Sequence, residues 1–126
     1  MIGSVLSICA GASLGALLRW ALSVRFNAVF PALPLGTLAA NVAGGYLVGV
    51  AVALFAALPD LSPQVRLLVV TGFLGGLTTF STFSAEVVTQ LQQGHPVWAL
   101  ATTFAHLLGS FACTALGMAT VSWLRP

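Results

Sequence analysis

The chain has no lysine, one aspartate, one glutamate, two cysteines and one tyrosine among its 126 residues. Charged residues make up only 5%, against about 25% in a typical soluble domain. So little charge excludes a polybasic lipid-binding surface and a nucleic-acid footprint. Asp60 and Glu86 fall on opposite flanks of a predicted span, which argues against a carboxylate dyad for acid–base chemistry. Cys9 and Cys113 lie inside apolar stretches and read as small buried hydrophobes; neither a disulfide framework nor a zinc spacing is present. The N-terminus has no basic segment and no obvious cleavage pattern, so the first hydrophobic stretch is expected to be a retained span.

Hydrophobic residues fill the space that charge leaves. They make up 59% of the chain, and the mean hydropathy is +1.06. This is the composition of an integral membrane protein. A transmembrane helix needs ~20 apolar residues, and four segments supply them. The first runs from about Ile2 to Val24 and the second from after Pro34 to before Pro59. The third begins after Pro63 and runs to about Gln92; the fourth starts near Pro96 and ends near Trp123. Prolines and glycines punctuate the gaps, as at helix ends. Trp20, Trp98 and Trp123 sit near span ends, where interfacial anchors belong. The loops are too short to fold alone. The expectation is one all-α transmembrane domain of four helices over residues 1–126. Gly11 with Gly15, and Gly45 with Gly49, have the spacing of close helix packing.

Polarity concentrates in the third span, at Gly75-Gly76-Leu77-Thr78-Thr79-Phe80-Ser81-Thr82-Phe83-Ser84. Paired glycines weaken a helix, and the hydroxyls that follow compete for its backbone groups. A break is therefore expected here. At ~1.5 Å per residue from Gln64, Gly75 lies roughly 16 Å deep, about half of a ~30 Å hydrocarbon core. Freed carbonyls at that depth must face protein, water or an ion.

With four spans, Arg19 and Arg25 fall on one side and Arg66 and Arg125 on the other. Two against two gives no orientation under the positive-inside rule. One explanation is insertion in both directions and an antiparallel dimer; the other is that one arginine is buried and does not count. In an antiparallel dimer two breaks could meet on the two-fold axis. Carbonyls from both chains, with Gly75 and Thr78 as candidate donors, would then form a cage suited to a small hard cation. Without a dimer the same feature is a simple kink.

Phe80 and Phe83 share a helical face among Thr79, Ser81, Thr82 and Ser84, unusual company for a lipid-facing helix. Phenyl ring edges carry partial positive charge and could meet a small anion without trapping it. Asn41 and Thr37 share a face of the second helix; a buried amide can serve an anion or act as interhelical glue. Thr102, His106, Ser110 and Thr114 recur every four residues in the fourth helix, a polar stripe on an apolar rod. Arg19 ends the first span and could concentrate anions in a vestibule, or snorkel to the headgroups. Glu86 is expected to be paired or peripheral, since a bare carboxylate opposes an anion.

Three stretches carry a family resemblance: Gly11-Ala12-Ser13-Leu14-Gly15-Ala16-Leu17-Leu18-Arg19-Trp20, Pro34-Leu35-Gly36-Thr37-Leu38-Ala39-Ala40-Asn41-Val42-Ala43-Gly44, and Gly72-Phe73-Leu74-Gly75-Gly76-Leu77-Thr78-Thr79-Phe80-Ser81-Thr82-Phe83-Ser84-Ala85-Glu86. In this order they resemble the Fluc (CrcB-type) fluoride channels of bacterial inner membranes. The resemblance implies a dual-topology antiparallel homodimer with two fluoride pores and passive fluoride efflux from the cell. It places Phe80, Phe83 and Asn41 in the pore, and Thr102, His106 and Ser110 on a polar track, with Thr37 and Thr82 beside them. It implies a structural sodium ion at the dimer interface, held by the backbone carbonyls of Gly75 and Thr78. Hydroxyls are the family habit along the track, so His106 is a departure.

Two other readings compete. A small multidrug-type proton-coupled exporter also has four helices, but the first helix here has no acidic residue. A structural subunit would need no aligned polar stripe. No nucleophile–base pair or metal spacing supports an enzyme.

Overall fold

The structure, a computed structural model, describes residues 1–125. Among the described residues, four helices are long and apolar enough to cross a membrane: Ile2–Val29, Leu35–Ala57, Pro63–Gln92 and Pro96–Leu124. Helix α1 is Ile2–Phe26, followed by a short 3-10 turn, and α2 is Leu35–Ala57. The third span divides into α3, over residues 63–77, and α4, Phe80–Gln92; α5 is Pro96–Leu124. These boundaries follow the proline punctuation. Pro63 and Pro96 each sit in the first turn of their helices, where a missing N–H leaves no bond unmade.

The helices meet through small residues. A Cβ on Gly11 would strike Leu68 O, and one on Gly15 would strike Phe73 O. Gly72 and Gly76 answer from α3, pressed against Ile8 O and Ala12 O. On the other side of the molecule Gly49 faces Thr114 O, and Gly117 faces Tyr46 O. Two backbone-to-backbone seams result, α1 with α3 and α2 with α5. In lipid, where burying apolar side chains between helices gains little, such close approach is what holds helices together. Thr114 Oγ1 adds a hydrogen bond to Gly45 O at 3.0 Å. The packing reading of both glycine pairs holds.

The break falls inside the expected stretch, at its threonines and not at its paired glycines. Gly75 and Gly76 remain helical; the chain turns extended at Thr78 and Thr79, with ψ of 153° and 117°. Glycine is used here for closeness to α1, not for irregular backbone. The Thr78 amide still closes the last helical bond, to Leu74 O, and the helix opens at Thr79, whose partners lie elsewhere, as described below. Residues Leu67–Leu74, just before, form wide π turns, and the Gly75 amide reaches back five residues to Val70 O. Thr78 falls at the middle of the 30-residue span, so the expected depth of the break stands.

At the far end of α2, Arg66 Nη2 donates to the carbonyls of Phe55 and Leu58, at 3.0 and 2.9 Å. A cation at a helix C-terminus satisfies the last carbonyls and complements the dipole.

Candidate functional site

Asn41 projects from the middle of α2 straight at the break. Its Oδ1 accepts the Thr79 amide at 2.7 Å, and its Nδ2 donates to the Thr79 carbonyl at 2.9 Å. One side-chain amide thus replaces both helical bonds that Thr79 forgoes. This two-sided contact fixes which end of the carboxamide is oxygen. The same Nδ2 lies 3.0 Å from His106 Nδ1. Since that nitrogen faces a donor, it must accept, and the imidazole proton sits on Nε2.

The rest of the break is tied by side chains. Thr79 Oγ1 accepts the Thr82 amide at 3.1 Å, capping α4. Arg19 Nε donates to the Gly76 carbonyl at 3.0 Å. Arg19 therefore reaches inward to the break and does not snorkel to the headgroups. The amides that would serve the carbonyls of Gly75 and Thr78 in a continuous helix, those of Thr79 and Thr82, are bonded elsewhere.

Aromatic rings continue the site. Phe83 is 6% exposed and stacks on His106, with centroids 4.5 Å apart and planes at 22°. Phe80 meets Phe83 edge to face at 5.5 Å and is 74% exposed. It stands at the rim of a groove of about 420 Å³. Asn41, Gly75, Thr78, Phe83, His106 and Ser110 also line that groove.

A second line of contacts leads from the break toward one end of the bundle. Thr37, fully buried, donates its hydroxyl to Glu86 Oε1 at 2.6 Å. Glu86 Oε2 stands 4.0 Å from His106 Nε2. Thr102, also fully buried, lies on α5 one turn from His106. Among the described residues, Glu86 Oε2, His106 Nε2 and Thr102 Oγ1 have no hydrogen-bond partner although buried. His106 Nε2 and Thr102 Oγ1 can donate to a polar guest, whereas Glu86 Oε2 is an acceptor and Glu86 does not line the groove.

The structure thus brings Asn41, Phe80, Phe83, His106, Gly75, Thr78 and Ser110 to one groove, and Thr37 to its neighbour Glu86. Thr82 faces Thr79 as a capping partner. The expectation that Glu86 is paired or peripheral is met in part: Oε1 takes the Thr37 hydroxyl, while Oε2 is buried beside His106 without a hydrogen-bond partner. Sequence reasoning missed Thr79, the residue on which the break turns. A Thr three residues before another Thr, at the head of the polar stretch, is an N-cap signal that could have found it.

Residues 6–118 match the family described as CrcB-like protein, camphor resistance (CrcB). The chain belongs to the CrcB family. It is 60% identical over 125 residues to the fluoride-specific ion channel FluC of Tolumonas auensis, covering 99% of this chain and 98% of that one. It is 59% identical over 125 residues to the FluC of Burkholderia cenocepacia strain J2315, covering 98% of each. It is 60% identical over 122 residues to that of Chromobacterium violaceum, covering 97% of each. CrcB membership sets this chain among ion channels, not enzymes. With four apolar spans it is a multi-pass inner-membrane protein.

Proposed function

We propose that this CrcB-family chain is a fluoride-selective channel that lets fluoride leave the cell passively through two antiparallel pores in a homodimer. The observation that carries the reading is the groove at the break, where Phe80 and Phe83, set edge to face, line one pocket with His106 and Asn41. Fluoride gives up hydration only to well-placed donors, and conduction requires that none hold it tightly. Weak ring-edge contacts, the Nε2–H of His106 and the hydroxyls of Thr102 and Ser110 form such a series. The near-complete alignment with relatives named fluoride-specific channels supports the choice of ion.

The dimer is supported by what one chain leaves open. Phe80 is exposed beside the site, and the groove, lined by the second, third and fourth spans, is not enclosed by one chain. Four helices do not enclose a path; a second, inverted copy over the same face would. Gly75 is exposed on that face, and its carbonyl and that of Thr78 have lost their helical donors. A set of main-chain oxygens suits a hard monovalent cation, so these residues fit a structural sodium ion at the interface. The ion would tie the two breaks together. Replacing sodium by an organic cation is expected to lower the melting temperature of the purified dimer by several degrees; a melting temperature indifferent to sodium would remove the ion from this account.

Expression in a bacterium stripped of its own fluoride export tests the function. Growth in millimolar fluoride should return with the intact chain. Failure to restore growth despite normal membrane insertion would contradict the reading.

A further inference from the structure

Asn27 lies outside every feature singled out above, in the turn after α1. Its carboxamide meets Thr37 twice. Oδ1 accepts the Thr37 amide at 3.0 Å, and Nδ2 donates to Thr37 Oγ1 at 3.2 Å. The first bond fixes the orientation of the amide, so the second must deliver a hydrogen to the threonine oxygen. With that lone pair covered, the single hydroxyl proton of Thr37 has one direction left, toward Glu86 Oε1 at 2.6 Å. Gly36 keeps the space for this contact: a Cβ there would stand 2.7 Å from Asn27 Oδ1.

We infer that Asn27 is a positioning residue for ion passage: it locks the Thr37 hydroxyl as a donor to Glu86 and so holds that carboxylate out of the anion's way. This rests on the fluoride-channel reading. Glu86 sits about two turns beyond the break, beside His106. A carboxylate free to turn into the path would repel a permeating anion. The hydroxyl bond ties it to α2, and the Asn27 amide, by donating to the same hydroxyl oxygen, keeps its proton turned toward the carboxylate.

Asn27→Asp separates positioning from capping. An aspartate still accepts the Thr37 amide at the start of α2, where a negative charge is favoured. It can no longer donate to Thr37 Oγ1. The hydroxyl proton is expected to turn to the new carboxylate, which leaves oxygen facing oxygen at Glu86. Fluoride flux from liposomes should fall about tenfold, the size of one lost charge-assisted hydrogen bond, while the melting temperature stays within a few degrees. The loss should persist in concentrated impermeant salt, which screens a bare charge effect but not a reversed bond. Asn27→Ala, which frees the hydroxyl to turn, should lose part of the flux. Wild-type flux in Asn27→Asp or in Asn27→Ala overturns the inference, and so does a loss in Asn27→Asp that salt restores. If the wild-type protein itself passes no fluoride, the channel reading fails instead.

Discussion

Asn41→Leu is expected to abolish fluoride flux and to leave little folded protein. The amide makes three contacts at the break, to Thr79 N, Thr79 O and His106 Nδ1. Leucine makes none and leaves both Thr79 main-chain groups orphaned. Each unsatisfied buried group costs roughly 1–3 kcal/mol, and more in hydrocarbon, so the pair amounts to about 3 kcal/mol or above. The freed imidazole would also lose its fixed tautomer. Asn41→Asp gives a sharper comparison. It can still accept the Thr79 amide, but it turns a second carboxylate oxygen toward the Thr79 carbonyl and His106 Nδ1. Some fold should survive, with the pore disabled by a negative charge beside Phe83. Size-exclusion profiles and melting curves in detergent, read beside flux, separate the two effects. Normal flux and stability in Asn41→Leu would mean that the break is held by something else.

Phe83→Ile is expected to cut fluoride flux by more than about tenfold while a folded protein remains. Isoleucine fills much of the buried volume, so the destabilisation should stay near 1 kcal/mol. It supplies no ring edge for an anion and no face for His106, which stacks at 4.5 Å. Edge contacts are worth up to about 1.5 kcal/mol, and each 1.4 kcal/mol on a barrier is a factor of ten. Phe80→Ile should also lower flux, but with less change in stability, because that ring is 74% exposed in the single chain. Liposome flux beside a thermal melt gives both readouts. Undiminished flux in Phe83→Ile would take the rings out of the pathway.

The spans were legible in the sequence because hydropathy and proline act locally. Pro34, Pro63 and Pro96 set helix starts within a residue or two. The polar residues of the site were legible for a related reason: Asn41, His106 and Thr102 stand out in stretches that otherwise hold almost no polarity. The glycines misled. Gly75 and Gly76 point to irregular backbone when read alone, yet Gly76 serves the approach of α1, a fact about a helix some sixty residues away. The irregular backbone falls after Thr78 because Asn41 on another helix takes both main-chain groups of Thr79. Thr37 and Glu86, 49 residues apart, give no local sign of their contact. The arginine count also shifts in the fold. Arg19 binds the Gly76 carbonyl at the break, so it belongs less to a loop than the two-against-two tally assumed. The open face around Phe80 is the stronger argument for a second copy. The choice of fluoride over other anions came from family resemblance; ring edges and hydroxyls alone specify only a small anion.

Fluoride efflux from liposomes containing the purified protein, followed with a fluoride-selective electrode and repeated with chloride, tests the central claim most directly. The account predicts rapid fluoride release that needs no proton gradient, with chloride retained. A well-folded protein that retains fluoride, or that releases chloride equally fast, would contradict it.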